Sequence, residues 1–330
     1  MSSPAARAVP LLSVRRLKIH YPLRRQWLFS GGGQLRAIDD LHFNLNAGES
    51  LGVAGAAGSG KTTLLRALAG LQRVTAGGIA YGDKDLARLS RGEWKAARPD
   101  IQMVFQPPAA GFERRLSIAK SIEAALATLR PELSESERSA RAAEAMDRVA
   151  LERAPRERRA SELGEDAGRR AAIARAIAIR PKILLCDDPV PSGEGGRALT
   201  ELLERLAHED NLSMIVTARE PERLRDLTQR MLVLHLGKVM EQGATTEVLD
   251  APHHPCTRAL LQSGGALAGE AASAASAPSG CVFRVSCPMA DELCARETPH
   301  LRRVGPTGHA ACHYVEGARD PSTGDLTTTL

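Results

Sequence analysis

The stretch GAAGSGKTT, Gly55 to Thr63, decides the fold. It fits the pattern G-x-x-x-x-G-K-[ST] and lies between a short apolar run, GESLGVAG, and a helical one, KTTLLRALAGL. Gly55, Gly58 and Gly60 let the loop's backbone N–H groups, with those of Ser59 and Thr63, turn inward onto phosphate oxygens. Lys61 reaches the outer phosphates, and the Thr62 hydroxyl can ligate Mg²⁺. A strand running into glycines and then a helix is a βα unit with a buried strand. Such a loop needs a carboxylate for the metal at the end of another buried strand, and PKILLCDD supplies Asp187 there with Asp188 beside it.

Outward from this centre, LLSVRRLKIH (11–20) and AIDDLHFNL (37–45) read as early strands, and VTAGGIAYGDKDL as a hairpin turn. DIQMVFQ reads as a buried strand, while LSMIVTARE and RMLVLHLGKVMEQG supply two more. From about Ser117 to Leu151 the pattern is helical, with Ser134 and Glu137 spaced as a capping box. Strands alternating with helices predict a parallel-rich α/β domain. The segment SGGALAGEAASAASAPSG (263–280) reads as a linker whose alanines allow some helix.

At 330 residues the chain has room for one large domain or two ordinary ones. With 43% hydrophobic and 25% charged residues it has a globular composition. It has no apolar run near the roughly 18 residues of a membrane span, and its N-terminus lacks a signal-peptide core. A cytoplasmic protein is expected. A net charge of +5 suits docking at an anionic leaflet but is too small to argue nucleic-acid binding. Aromatic content of 3% removes the stacking platforms of single-strand binders.

Six cysteines are unevenly placed: Cys281, Cys287, Cys294 and Cys312 follow C-x5-C-x6-C-x17-C, while Cys186 and Cys256 stand apart. Four thiolates can close a tetrahedral zinc site or hold an iron–sulfur cluster, and free structural thiols are the third reading. The spacing lacks the C-x2-C pairs of common zinc ribbons. Cys186 and Cys256 read as small buried hydrophobes, and His253, His254 and His313 as turn or surface residues.

The order of Gly55-x-x-x-x-Gly60-Lys61-Thr62, MVFQ with Gln106, RRAAIARAIAIRPKILLCDDP and RMLVLHLGKVMEQG resembles the ATP-binding subunits of ABC transporters. More narrowly, HHPCTRALL and the tail GCVFRVSCP…C…ACH are similar to the importer branch for dipeptides, oligopeptides and related solutes such as nickel or glutathione. The insert PLRRQWLFSGGGQLRAIDD, with IQMVFQ, is similar to the second of its two unequal ATPase subunits. The likeness runs from about Leu11 to Tyr314.

It implies a P-loop nucleotide-binding domain over 1–262, with a RecA-like α/β core, an antiparallel β subdomain and a helical subdomain at about 107–170. A flexible linker (263–280) and a Cys-rich module (281–330) would follow. It also implies ATP and Mg²⁺ as ligands. Tyr21 would lie against adenine, Mg²⁺ would be held through Thr62, Gln106 and Asp187, and a 4Fe-4S cluster would sit on Cys281, Cys287, Cys294 and Cys312, with Zn²⁺ the alternative. The implied partners are a second ATPase subunit, two membrane permeases and, indirectly, a solute-binding protein outside the membrane, with no nucleic acid. The implied place is the cytoplasmic face of the inner membrane.

Four positions depart from the family pattern. Aligned back from AIARA, the Leu-Ser-Gly-Gly-Gln signature falls on Leu163, Gly164, Glu165, Asp166 and Ala167, so its serine is lost and two glycines become acids. Like charges about 4 Å apart repel by about 4 kcal/mol at an effective dielectric of 20, so the pair would oppose a triphosphate from a partner unless they turn away or a cation intervenes. A helix start that normally holds phosphate would carry its own anions. The catalytic glutamate is Asp188, one methylene shorter; the switch histidine is Ala218; and Ser-Ala-Leu-Asp becomes Pro191-Ser192-Gly193-Glu194. The expectation is retained ATP binding with slow hydrolysis, or a non-hydrolysing structural or regulatory subunit. A nucleic-acid ABC protein is disfavoured by the composition.

Overall fold

Along the chain, strands β1 (Leu12–Pro22), β2 (Gln34–Leu45) and β3 (Ser50–Ala54) precede helix α1 (Lys61–Leu68). The hairpin of β4 (Ala76–Tyr81) and β5 (Lys84–Asp85) leads to α2 (Arg91–Ala97) and β6 (Ile101–Val104). Next come α3 (Ile118–Leu129), α4 (Glu135–Arg148), the short α5 (Arg153–Arg156) and α6 (Glu165–Ile177). Then follow β7 (Ile183–Cys186), α7 (Glu194–Glu209), β8 (Ser213–Ala218), β9 (Arg230–His235) and β10 (Lys238–Ala244). The helices α8 (Thr245–Asp250), α9 (Pro255–Gln262) and α10 (Glu292–Arg296) and the hairpin β11 (Arg302–Val304)/β12 (Gly308–Ala310) complete the chain. This computed structural model describes residues 9–22, 34–191, 194–267 and 277–315. Parts of the insert, the linker, the far C-terminus, and Ser192 and Gly193 therefore lie outside the described residues.

The centre is a parallel run, β9-β3-β8-β7-β6, within an eight-stranded sheet. Its inner strands are continuous apolar runs with every residue of β3, β7 and β8 buried, as strands covered on both faces require. A second, antiparallel sheet has the order β2-β1-β4-β5. Leu17, Ile19 and Ile38 from it share one core with Leu64 and Leu68 of α1. Helices α3, α4 and α6 share another with Leu184 and Cys186 of β7. The alanines of α6 are buried almost all round, which lets it sit close to its neighbours.

The capping box at α4 forms as the spacing predicts, with Glu137 N–H donating to Ser134 and Ser134 N–H to Glu137. A second box, Ser90 with Glu93 at α2, carries the same signal and was not read from the sequence.

Two expectations change. RMLVLHLGKVMEQG is a hairpin, not one strand: Leu236 (φ 44°) and Gly237 (φ 79°) make a two-residue turn with His235 opposite Lys238. A Leu-Gly pair is not the usual Asn-Gly turn signal, so the apolar run hid it. His254 is core, 1% exposed, not surface. Its Nδ1 accepts from Cys256 N–H at 2.9 Å, starting α9, and its Nε2 lies 3.1 Å from the Ala311 carbonyl. Cys186 and Cys256 are buried as expected. The tail adds strands directly to the central sheet, β12 pairing with β10 through Glu241 and Ala310.

Candidate nucleotide site

The end of β3 turns into a glycine loop that only glycines can make. Gly60, the residue before α1, has φ 108°, and a Cβ there would lie 2.3 Å from the Ala37 carbonyl. The turn of the β9–β10 hairpin props the loop from beneath, Gly237 N–H donating to Ser59 O at 3.0 Å. Lys61, 8% exposed, points back into the loop, its Nζ donating to Gly55 O at 2.5 Å and Ala56 O at 2.8 Å. These loop carbonyls hold the lysine inside the curve of the phosphate loop.

Thr62 Oγ1 donates to Asp187 Oδ1 at 3.1 Å, and Thr217 Oγ1 donates to the same oxygen at 3.1 Å. Burial of Asp187 pushes its carboxyl above the ordinary range, against these two hydroxyl bonds that pull it down. A buried, hard-oxygen carboxylate beside a threonine hydroxyl is a donor set that fits Mg²⁺. Asp188 has φ 47°, its N–H donating to Thr217 Oγ1 at 3.0 Å. Its Oδ2 accepts from Gln106 Nε2 at 3.3 Å and lies 3.9 Å from Arg219 Nε, while Oδ1 is buried with no hydrogen-bond partner among the described residues.

Lys61, Thr62, Gln106, Asp187, Asp188 and Arg219 line one cavity of about 530 Å³. Tyr21, opposite Leu35 across the β1–β2 ladder, also lines it. The structure thus brings together Tyr21, Gly58 to Thr63, Gln106, Asp187 and Asp188. Sequence reasoning missed two contributors. Arg219 lines the same cavity, and so do Val282, Val285 and Ser286 of the tail. Phe283 anchors that tail segment, 1% exposed, with ring centroids 5.4 Å from His235 and 5.9 Å from His254. Ala218 is buried, and its carbonyl accepts from Gly55 N–H at 3.2 Å.

The acids Glu165 and Asp166 stand in the first turn of α6. The residue before the helix, Gly164, gives no side-chain cap. There Glu165 also pairs with Arg169 at 2.5 Å and Asp166 with Arg170 at 2.7 Å, each one turn along. A cation therefore stands beside each acid, and the net charge that opposed a triphosphate is locally matched.

The four-thiolate metal site expected at Cys281, Cys287, Cys294 and Cys312 is not supported by the arrangement of these side chains. The four line one cavity of about 10 Å³, the room of a single water. Among the described residues no three His, Cys, Asp or Glu side chains are gathered to hold a metal. Burial pushes the Cys281 thiol up to about 11 and raises those of Cys294 and Cys312. Among the described residues no helix is long and apolar enough to cross a membrane.

Residues 38–191 match the family model for ABC transporters, and residues 240–294 match the model for the C-terminal region of oligopeptide/dipeptide transporters. The oligopeptide transport ATP-binding protein OppF of Escherichia coli is 35% identical over 308 residues, covering 88% of this chain and 92% of that protein. OppF of Haemophilus influenzae is 34% identical over 322 residues, covering 92% and 97%. A putative peptide import ATP-binding protein of Brucella ovis is 34% identical over 316 residues, covering 92% of this chain and 97% of that protein. Among solved structures, the dimeric post-hydrolysis state of the ATP-binding cassette MJ0796 with ADP and Pi superposes with a TM-score of 0.63 at 25% identity, covering 71% of this chain and 98% of that one.

Proposed function

The chain belongs to the ABC transporter family, in its oligopeptide and dipeptide branch, and on that footing we propose that it is the ATP-binding subunit of a peptide importer. The observation that carries this reading is the hydrogen-bonded chain Thr62–Asp187–Thr217–Asp188 laid against the lysine of the phosphate loop. Lys61 and the loop's N–H groups bind the phosphates, and Tyr21 takes the adenine face. Thr62, Gln106 and Asp187 would hold Mg²⁺, which when bound neutralises charge on the outer phosphates.

Slow turnover is the finer part of the proposal. Asp188 has the chemistry of a general base on an arm one methylene short, and its carboxyl already faces Gln106 and Arg219. Ala218 offers no side chain to a terminal phosphate. Glu165 and Asp166 occupy positions where a partner's nucleotide would meet small residues, although each is matched by an arginine. Closure onto a second ATPase subunit, with permeases at the inner face of the membrane, is the assembly this reading entails. The convergence of four cysteines on one cavity keeps a soft-metal role a separate question, answered by measuring iron and zinc in anaerobically purified protein.

The test is ATP binding by the full chain with Mg²⁺, read by calorimetry, for the native protein and Lys61→Ala. Binding that vanishes in the variant supports the reading. Equal binding by both would sink it. Phosphate release indistinguishable from the Lys61→Ala background would favour the non-hydrolysing subunit over the slow enzyme.

A further inference from the structure

Among the described residues lining the nucleotide cavity, the side chains that are cationic at neutral pH are those of Lys61 and Arg219. His235 also lines it, but burial holds its pKa down to about 4, so it stays neutral. Against these cations stand Asp187 and Asp188. With Asp187 given to Mg²⁺, the side-chain cations left for the triphosphate itself are Lys61 and Arg219.

Arg219 is placed to do so. It follows directly on β8, whose Thr217 holds both Asp187 and Asp188, so its backbone is fixed to the metal end of the cavity. Its side chain is 60% exposed, and its ion pair to Asp188 is long at 3.9 Å. The neighbouring Arg223 is already committed, to Glu220 at 2.9 Å and to the Val190 carbonyl at 2.8 Å. Arg219 is therefore a weakly held guanidinium on a fixed stem, beside the carboxylate that marks the outer-phosphate end. A guanidinium forks onto two phosphate oxygens more strongly than it holds one carboxylate oxygen at such a distance.

Resting on the reading of this site as an ATP site, we propose that Arg219 is a ligand of the terminal phosphate. Its guanidinium lies 3.9 Å from Asp188, within a side-chain rotation of the outer-phosphate end, and with ATP bound it turns to the γ-phosphate, supplying there a contact that Ala218 cannot make. With ADP it has no such target, so it distinguishes ATP from ADP.

The experiment measures ATP and ADP affinities of the full chain with Mg²⁺ for native protein, Arg219→Ala, Arg219→Lys and Lys61→Ala. Arg219→Ala is expected to weaken ATP by roughly tenfold or more and leave ADP unchanged, as for loss of a hydrogen-bonded charge. Arg219→Lys should recover part of that loss, keeping the charge without the fork. Thermal melts of each variant exclude misfolding, which exposure at this position makes easy to satisfy. Equal ATP and ADP affinities relative to native, with Lys61→Ala abolishing both, would overturn the role of Arg219 and leave the ATP site standing. So would faster phosphate release at an unchanged ATP-to-ADP ratio, which would make Arg219 a mere quencher of Asp188. Native protein that binds neither nucleotide, or Lys61→Ala that binds both normally, overturns the two readings together.

Discussion

Arg169 and Glu165, one helical turn apart on α6, form an ion pair of unequal members: the guanidinium side chain is 11% exposed and the carboxylate 74%. The same guanidinium donates to the main-chain oxygens of Asp188 and Pro189 at 3.2 and 2.9 Å, tying the helix start to the strand end that carries the carboxylates. Removal of the two partners should therefore have unequal effects. Arg169→Ala is expected to cost about 2–3 kcal/mol, by taking the donor from the buried Pro189 carbonyl and the part-buried Asp188 carbonyl. Glu165→Gln should cost no more than about 0.5 kcal/mol, because a solvated ion pair is screened. Urea unfolding of both variants reads this directly, and comparable losses would show that the ion pair, not the backbone tie, is what matters.

Asp188→Glu restores the longer arm but places glutamate at φ 47°, where aspartate is the better tolerated residue. We expect faster phosphate release together with a stability loss of about 0.5–1 kcal/mol. If release stays flat in a folded variant that still binds ATP, arm length is not what limits turnover.

The phosphate loop should discriminate sharply between two of its glycines. At Gly60 an added methyl would meet the Ala37 carbonyl at 2.3 Å on a backbone at φ 108°, so Gly60→Ala should lose both nucleotide binding and about 2 kcal/mol or more of stability. Gly58, at φ 73°, has open space around it, and Gly58→Ala should cost only about 1 kcal/mol. Melting temperatures and calorimetry on the pair would refute this if the two variants behaved alike.

Acid should unfold the protein through its buried histidines. Burial holds His254 and His235 down to about 4, while an unfolded chain binds those protons near the ordinary value of about 6.5. Below about 6.5 the unfolded state takes up protons the folded state refuses, so stability is full above that pH and falls as pH drops toward 4. The loss for fully buried His254 is on the order of 3 kcal/mol. Urea midpoints at pH 7.5 and 5.0 should differ accordingly, and His254→Gln should flatten the slope; an unchanged slope would exclude this histidine as its source.

Much of this was legible in the sequence where chemistry and local geometry coincide. Gly55 to Thr63 and the Asp187-Asp188 pair announce themselves because phosphate and metal binding demand those residues at those places, and the structure brings Ala56 to Thr63 and both aspartates into one cavity, with Gly55 behind its wall at the end of β3. The turn at Leu236-Gly237 was hidden because Leu-Gly is not one of the usual turn pairs, although the polar His235 and Lys238 flank it. Arg219 was invisible as a ligand because its meaning lies in what it faces, and Asp188 is its neighbour only across two strands. The pairing of Glu165 and Asp166 with Arg169 and Arg170 was readable from the i,i+4 spacing, had charge been matched along the helix instead of against an absent phosphate.

The tail segment between Cys281 and Cys287 puts Val282, Val285 and Ser286 on the wall of the nucleotide cavity while Phe283 roots it in the core. A ligand in that cavity and the docking of that wall are reciprocal equilibria: each must stabilise the other by the same free energy. Where nucleotide binds only the docked form, a hundredfold excess over its Kd adds about 2.7 kcal/mol to docking. Slower proteolysis around residues 282–286 and slower thiol labelling of Cys287 would then report occupancy of the phosphate loop from the far end of the chain, in a tube that contains neither membrane nor transported solute.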